Sequence, residues 1–334
     1  MLATVAIPVR NGACRLEQTL RAVRAQRLDG ELELLVCDSG SDDGSVALAR
    51  RYGAEVIEIA PAEFGHGRTR NLLMDRSRGE HVAFLTQDAV PGDEHWLSSL
   101  LGAFALAPRV GLAFGPYRPR PEASPSVARE LTEWFASFSP GVSAGVSAGV
   151  SAGAAPRIDV LDSAQRSAPP RDFLGHRGFF TDANGCVARA AWRRVPFRDV
   201  AYAEDHRLAQ DMLRAGWAKV YVPNAAVIHS HDYSTGEWIR RSFDEARAMR
   251  EVYGWPGPVG VRATGLNIWG RVGADLRFSR AQRPGSTSGL GSISLLAHAT
   301  VHHGACSLGT GLGARAQRLP GPVVRRLSLE RRGG

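Results

Sequence analysis

The chain has 334 residues, of which 44% are hydrophobic and 22% charged, a composition typical of folded proteins that excludes a disordered or fibrous chain. Its net charge is +8, yet arginine supplies all of the 41 basic residues except Lys219. Lys219 follows Ala-Gly-Trp-Ala rather than a glycine-rich loop, which excludes a P-loop nucleotide site. So uneven a ratio reflects a GC-rich coding genome better than an acidic partner. We expect no nucleic-acid partner, because the basic C-terminal tail lacks aromatic residues interleaved with its arginines on one face.

The first 120 residues alternate strand-like and helix-like segments. We predict, in chain order, strand 3–9, helix 16–26, strand 32–38, helix 43–52, strand 55–59, helix 67–77 and strand 81–87. This order predicts an α/β fold with a mostly parallel sheet and helices on both faces. Ligands bind at the carboxyl ends of such strands, where four polar residues stand: Arg10, Asn11, Asp38 and Asp88.

Two segments that follow strands each allow two interpretations. Asp38-Ser-Gly-Ser-Asp-Asp-Gly44 offers a carboxylate to a base or ribose, but its Ser and Asp residues are also good helix caps. Phe64-Gly-His-Gly-Arg-Thr-Arg-Asn71 begins a helix, where phosphate binding is favoured, but it can equally be a surface loop with arginines. Asp88, after Phe84-Leu-Thr-Gln, is a carboxylate able to bind Mg²⁺ or Mn²⁺.

The middle of the chain contains Gly-Val-Ser-Ala repeated three times within 141–153. Prolines surround this repeat, and we predict that 139–172 is a flexible insertion. Regular structure returns with a helix at 204–215 that ends at Gly216, and with strands at 217–222 and 225–228.

Two clusters in this region suggest chemistry. Glu204 and Asp205 are adjacent carboxylates at the start of a helix, where one raised pKa suits a general base, although acidic residues also complement the helix dipole there. The His229-Ser-His pair follows a strand and is either structural or metal-binding. His302 and His303, with His298, have no carboxylate nearby in sequence, and we expect no metal there.

The excess positive charge lies at the C-terminal end. Residues 236–334 contain 15 arginines and six acidic residues, a balance of +9, which suits an anionic membrane surface or a merely solvated tail. We predict an amphipathic helix at 237–252 and short helices after Trp255. Residues 284–314 are too polar for a membrane span, and the N-terminus has no signal-peptide pattern. With four scattered cysteines, we expect a cytoplasmic protein, peripheral at the inner membrane face.

In this order the motifs resemble the family-two inverting glycosyltransferases of GT-A fold over residues 3–250. The matching segments are Val5-Ala-Ile-Pro-Val-Arg-Asn11, Val36-Cys-Asp-Ser-Gly-Ser-Asp-Asp-Gly44, Arg70-Asn71, Phe84-Leu-Thr-Gln-Asp88, Asp182-Ala-Asn-Gly-Cys-Val-Ala-Arg189, Ala203-Glu-Asp205 and Val227-Ile-His229. The segments 64–71 and 86–89 look most like the rhamnosyltransferase branch.

The resemblance implies three parts of a site. The nucleotide-sugar residues are Pro8, Arg10, Asn11, Asp38, Gly67, Arg70, Asp88 and Asn184. Asp88 and His229 correspond to the ligands of a Mg²⁺ or Mn²⁺ ion, although Thr86 replaces the first acid of the family's DxD motif. Asp205 corresponds to the general base, with Glu204 supporting it.

The implied reaction transfers a sugar, rhamnose by the branch resemblance, from a UDP- or dTDP-linked donor to a glycan or lipid-linked acceptor in cell-surface polysaccharide synthesis. The implied regions are a nucleotide-sugar half at 1–120, an acceptor half at 121–235 with the insertion, and a helical basic extension at 236–334. The alternative is a catalytically silent GT-A-like domain that binds a nucleotide or glycan. A nicotinamide-dependent dehydrogenase is disfavoured because Arg10-Asn-Gly-Ala-Cys14 is no GxGxxG motif.

Overall fold

A computed structural model describes residues 2–139, 154–258, 261–282 and 289–330. The strands are β1 (Leu2–Val9), β2 (Glu31–Asp38), β3 (Glu55–Glu58), β4 (His81–Leu85), β5 (Val90–Pro91), β6 (Val110–Phe114), β7 (Tyr117–Arg118), β8 (Arg157–Asp159), β9 (Asn184–Ala188), β10 (Ala218–Tyr221) and β11 (Val227–Ile228). The helices are α1 (Ala13–Arg24), α2 (Ser45–Arg51), α3 (His66–Arg76), α4 (Trp96–Gly102), α5 (Pro125–Ala136), α6 (Ser163–Arg166), α7 (Arg189–Trp192), α8 (Glu204–Arg214), α9 (Thr235–Tyr253), α10 (Val261–Gln282), α11 (Gly289–Gly313) and α12 (Gly321–Leu327).

Eight strands form one sheet in the order β3-β2-β1-β4-β9-β6-β10-β8. The pairs among β3, β2, β1 and β4 are parallel, as is the β6–β10 pair, whereas β9 runs antiparallel to both of its neighbours. Because β9 is reversed, its first residues lie at the carboxyl ends of β1 and β4. Hydrophobic clusters cover both faces of this sheet, which confirms the predicted α/β class. Strands from the two predicted halves pair in this single sheet, and the division at residue 120 stays a prediction.

The segment predicted to be flexible contains regular structure where it is described. Arg157–Asp159 forms the edge strand β8, which pairs antiparallel with β10, and Ser163–Arg166 forms α6. The buried ammonium of Lys219, on β10, lies 3.2 Å from an Asp159 carboxylate oxygen and donates to three backbone carbonyls. This ion pair fixes β8, a contact that the Pro- and Ser-rich composition did not indicate. The repeat at 141–153 lies outside the described residues.

The region after Trp255 forms longer helices than predicted. Helices α10 and α11 have 22 and 25 residues. Glycines in α11 weaken the sequence signal for a helix, but two of them are required by packing: a Cβ at Gly309 would lie 2.2 Å from the Ile239 carbonyl oxygen, and one at Gly313 2.2 Å from that of Phe243. The small residues thus let α11 pack directly against α9. Among the described helices, none is both long and apolar enough to cross a membrane.

Candidate functional site

A cavity of about 1310 Å³ lies at the carboxyl ends of β1 and β4. Its walls come from the ends of these strands, from the residues that precede β9 and α8, from the segment after β11 and from α9. Pro8, Arg10, Asp88, Glu204 and Asp205, all predicted site residues, line it together. The topology therefore brings residues more than 190 positions apart into one cavity.

Hydrogen bonds join the loops after β1 and β2. The Asn11 and Gly12 amides donate to the hydroxyls of Ser41 and Ser45, and the Asn11 side-chain oxygen accepts from the Asp42 amide. Asp38 is only 2% exposed, and its carboxylate accepts from the Gly40 and Ser41 amides. These bonds form a turn at Asp38 but not the predicted helix cap, because α2 begins after Gly44 with no side-chain hydrogen bond at its cap. Ser39, beside Asp38, lines the cavity.

A carboxylate and two histidines form a group that can hold a metal ion. One Asp88 oxygen lies 3.5 Å from His229 Nε2, the other lies 3.7 Å from His231 Nε2, and the two Nε2 atoms are 3.1 Å apart. Burial opposes ionisation of Asp88, but the hydrogen bond and charge of His229, with the charge of His231, lower its pKa. Asp88 and His229 are the ligands predicted from the sequence, and the HxH spacing is the signal in the sequence for His231.

Arg120 is a buried cation beside this group that the sequence analysis did not identify. Its Nη2 donates to the backbone carbonyl of Asp88 and lies 3.7 Å from the carboxylate. The guanidinium is 7% exposed and lies close enough to compensate part of any negative charge gathered at Asp88. No motif in the sequence distinguished Arg120 from the other arginines.

A second group of charges surrounds Arg70 on α3. Its guanidinium is paired with the carboxylate of Asp182, to which Nη2 donates at 2.7 Å, and Nη1 lies 3.1 Å from Glu204. All three side chains are at least nine-tenths buried. Burial and then the charge of Glu204 raise the pKa of Asp182, against the opposing charge of Arg70. Arg70 was predicted beside the nucleoside pocket, whereas its partners here are carboxylates; Asp182 belongs to the quoted segment 182–189 but was not selected.

Asp205, the predicted base, lies at the start of α8 and faces the cavity. Burial, and then the negative charge of Asp182, raise the pKa of Asp205 to about 7. The His206 amide donates to one oxygen of this carboxylate at 2.8 Å. A carboxyl group with a pKa near neutrality can take a proton from a hydroxyl group in a cavity, as a general base must. Its neighbour Glu204 instead contacts Arg70.

Two predicted nucleotide-sugar residues have structural contacts instead. Asn184 lies in β9 rather than in a loop, is fully buried, donates to the carbonyls of Pro116 and Ala225, and accepts from the Trp96 indole. These bonds occupy both polar atoms of its side-chain amide. The prediction that Asn184 lies in a loop is therefore wrong, because the residue begins strand β9. Gly67 is buried where α3 approaches the chain before α8, and a Cβ there would lie 2.0 Å from the Arg198 carbonyl oxygen. Close packing accounts for this glycine.

The chain's last described residues close one side of the cavity. The Asp244 carboxylate accepts from the amides of Leu329 and Glu330 at 2.7 and 3.2 Å. The Glu330 side chain lies 3.1 Å from His66 Nε2, and His66 Nδ1 is 3.8 Å from Glu204. The C-terminal segment thereby contacts the charged group around Arg70. Its position is a tertiary contact across more than 260 residues that no local motif indicates.

Comparison with known proteins gives a family match and several relatives. Residues 4–140 match the model of glycosyl transferase family 2. The chain is 27% identical over 253 residues to the O-antigen chain rhamnosyltransferase RfbN of Salmonella typhimurium, covering 73% of this chain and 71% of the relative. It is 28% identical over 222 residues to the N-acetylglucosaminyl-diphospho-decaprenol L-rhamnosyltransferase of Mycobacterium tuberculosis, covering 61% and 68%.

Solved structures share the fold at low sequence identity. The mannosyltransferase PcManGT from Pyrobaculum calidifontis, in complex with GDP-Man and Mn²⁺, superposes with a TM-score of 0.57 at 15% identity, covering 93% of this chain and 86% of that one. Glucosyl-3-phosphoglycerate synthase from Mycobacterium tuberculosis, with Mn²⁺, UDP and phosphoglyceric acid, gives 0.51 at 19% identity, covering 76% and 78%. The predicted GT-A fold and the resemblance to rhamnosyltransferases of family two are confirmed.

Proposed function

We propose that this chain, whose residues 4–140 match the model of glycosyl transferase family 2, is an inverting transferase that moves a sugar from a nucleoside diphosphate to an acceptor hydroxyl group. The observation that supports this most strongly is a single cavity lined both by Asp205, with its raised pKa, and by the group of Asp88, His229 and His231. We propose rhamnose as the sugar because two relatives are named rhamnosyltransferases. The proposed acceptor is a glycan or lipid-linked glycan in polysaccharide synthesis.

In the proposed reaction, the acceptor hydroxyl group gives its proton to the Asp205 carboxylate as its oxygen forms a bond to the anomeric carbon. The bond from that carbon to the diphosphate breaks on the opposite face, which inverts the configuration. Charge in the transition state is spread as in an oxocarbenium ion. Arg70 holds the carboxyl groups of Asp182 and Glu204 in place, and the negative charge of Asp182 helps to make Asp205 a stronger base.

The residues around Asp88 fit a divalent cation. Their donor atoms, one carboxylate oxygen and two imidazole nitrogens, lie within 4.8 Å of one another, and nitrogen and oxygen donors suit Mn²⁺. Such an ion, when bound, neutralises charge on the leaving diphosphate. Arg120 contributes a second positive charge from the protein itself. With Thr86 in place of the first acid, two of the three donors are histidine nitrogens, and Mg²⁺, which prefers oxygen, fits them less well.

Pro8, Arg10 and Ser39 line the part of the cavity that we assign to the nucleotide, which we propose to be UDP- or dTDP-linked. The Arg10 amide donates to the Gln87 side chain at 2.9 Å, so the loop after β1 is held against the loop that contains Asp88. This bond holds the proposed base-binding residues at a fixed distance from the proposed diphosphate-binding residues.

We expect a pyrimidine diphosphate to raise the melting temperature of the protein, and Mn²⁺ to increase that rise. A ligand at 100 times its Kd stabilises the folded state by about 2.7 kcal/mol. The measurement is a thermal-shift assay with UDP, dTDP and GDP, each with and without Mn²⁺. Asp88→Ala is expected to lose the Mn²⁺ increment, because it removes the carboxylate of the group, whereas Asp93→Ala, at an exposed position, keeps it.

The outcomes of this assay separate the alternatives. An equal Mn²⁺ increment in wild type and Asp88→Ala contradicts the proposed metal ligands. If none of the three nucleotides changes the melting temperature, the proposed transferase activity is contradicted. Nucleotide binding without sugar transfer to any acceptor, together with no effect of changing Asp205, supports the catalytically silent scaffold instead.

We also propose that the C-terminal helices contact an anionic membrane surface, where a lipid-linked acceptor is found. Leu266 and Trp269 on α10 are 68% and 62% exposed, and Arg277 and Arg280 on the same helix are exposed as well. Exposed apolar side chains and arginines on one helix are a combination that binds anionic interfaces.

Sedimentation with vesicles tests this contact. The protein is expected to bind phosphatidylserine-containing vesicles at low salt, and less at high salt because the attraction is screened. The double variant Leu266→Ser/Trp269→Ser is expected to bind at least several-fold more weakly, whereas Leu106→Ser, which changes an exposed leucine after α4, is the matched control. Equal binding of the double variant and wild type, or no binding at low salt, contradicts the proposal.

A further inference from the structure

Three helices meet at a second group of potential metal ligands. Of its three members, Glu130 comes from α5, and His302 and His303 come from α11. Asp275, beside them, comes from α10. His302 and His303 are 3% and 0% exposed. The chain segments that supply these side chains are far apart in sequence, so the absence of a nearby carboxylate, on which the sequence analysis relied, does not hold in the folded protein.

The donor atoms of this group lie close together, with each histidine near a different oxygen of Glu130. Glu130 Oε2 lies 3.5 Å from His302 Nε2, and Glu130 Oε1 lies 3.6 Å from His303 Nδ1. Around a tetrahedral ion with bonds of about 2.0–2.1 Å, neighbouring donors are separated by about 3.3 Å. The observed separations are therefore close to those that a bound ion requires, and all three donors lie within 4.8 Å of one another.

The surroundings of His303 fix its orientation as a ligand. Its Nε2 lies 2.8 Å from Asp275 Oδ2, and Ser126 and Arg129 donate hydrogen bonds to the same carboxylate. This bond places the ring proton on Nε2 and leaves the lone pair of Nδ1 directed at Glu130. Nδ1 is buried and has no hydrogen-bond partner among the described residues. A histidine whose other nitrogen donates to a carboxylate is the usual arrangement around protein-bound metals.

The chemistry of the donors favours an ion of the zinc class. Two imidazoles and one carboxylate are a common zinc donor set, and the Cys306 sulfur lies 3.9 Å from His302 Nε2. Arg271, 3.1 Å from Glu130, and Arg129 bring positive charge, but Glu133 pairs with Arg129 at 2.6 Å. With Glu130 and Asp275 ionised as well, the three carboxylates exceed the two guanidinium groups by one negative charge. The net charge of these side chains is therefore negative, which favours the binding of a cation.

We propose that Glu130, His302 and His303 form a second metal site, distinct from the group at Asp88, that binds Zn²⁺ or a similar borderline cation and fastens α11 to α5. Its three protein donors come from two helices that are otherwise connected through α10, so a bound ion links these helices directly. The rival account is an ion pair between a protonated histidine and Glu130 that binds no metal.

The test uses the full-length chain, purified without a polyhistidine tag, treated with EDTA and carried in an Asp88→Asn background, which removes the carboxylate of the first group. We expect this protein to bind one Zn²⁺ per chain, measured by mass spectrometry of the metal content, and to melt at a higher temperature with Zn²⁺ than without. Co²⁺ in its place should give the visible absorption of a tetrahedral site. Adding His302→Gln or Glu130→Gln is expected to abolish both the binding and the shift.

His298→Gln is the matched control, since His298 lies on the same helix but is exposed, and it should leave binding and shift unchanged. Circular dichroism and melting without metal report whether each variant folds. If His302→Gln does not fold, the metal content of Glu130→Gln and of the Asp88→Asn protein decides the matter. Absence of Zn²⁺ in Asp88→Asn, or full occupancy in Glu130→Gln, overturns the proposal in favour of the ion pair.

Discussion

Asp205→Asn is expected to reduce sugar transfer by about 10²–10⁴-fold, the usual contribution of a general base, while nucleotide binding stays close to wild type. The asparagine amide has nearly the same size as the carboxyl group but cannot accept the acceptor's proton. The measurement is turnover of the nucleotide sugar with acceptor, alongside the nucleotide-induced thermal shift. Asp211→Asn is the matched control, because Asp211 lies on the same helix and pairs with Arg198.

The raised pKa of Asp205 gives this prediction a pH dependence. A base with a pKa of about 7 is mostly protonated at pH 6, so turnover should rise with pH through neutrality. Stability should change in the opposite direction. The folded protein binds the Asp205 proton more tightly than the unfolded chain, whose pKa is about 4, so this residue reduces the free energy of unfolding as pH rises from about 4 to 7.

Asp205→Asn is therefore expected to melt at a higher temperature than wild type at pH 8, with a smaller difference at pH 5. Loss of activity together with gain of stability is typical of a catalytic group held in an unfavourable environment. Transfer activity above one tenth of wild type, or a stability difference that does not depend on pH, contradicts the role given to Asp205.

The N-terminal half of the fold could be predicted because its strands are continuous apolar runs separated by helices. The prediction of secondary structure was weaker in elements that are not marked by a periodic pattern of apolar residues. Strand β9 begins with Asn184-Gly185, whose amide and small size serve contacts inside the sheet. Helix α11 contains glycines that look like helix breakers until their contact with α9 is known. In both cases tertiary packing outweighs local propensity.

The candidate site could be predicted where a reactive side chain directly follows a strand, as Asp88 does, or lies in the first turn of a helix, as Asp205 does. Residues whose importance comes from distant partners could not be recognised. In the sequence, nothing distinguishes Asp182 from other acidic residues. Its importance comes from Arg70, which is 112 positions away in sequence but pairs with it in the folded protein. His302 and His303 were set aside because their carboxylate partners, Glu130 and Asp275, lie on other helices. Such pairs depend on the topology rather than on local spacing.

Arg70→Met is expected to lower the free energy of unfolding by about 3–5 kcal/mol, the cost of leaving buried charges without their partner. Methionine fills much of the arginine volume, so the loss reflects charge more than packing. Asp182 and Glu204, which share this guanidinium, are 7% and 6% exposed and would remain as adjacent buried carboxyl groups. Urea denaturation at pH 8 measures the change, provided that unfolding is a single transition.

The matched control is Arg68→Met, two positions earlier on α3. Arg68 and its partner Asp199 are both 55% exposed, and an exposed pair of this kind contributes at most about 1 kcal/mol. Protonation of the orphaned carboxyl groups should relieve part of the Arg70→Met loss, so the deficit is expected to shrink between pH 8 and pH 5. Adding Asp182→Asn should also recover stability, because it removes one of the two uncompensated charges. A loss at Arg70 no larger than that at Arg68, or one that is constant with pH, would show that Arg70 is not the charge on which this buried group depends.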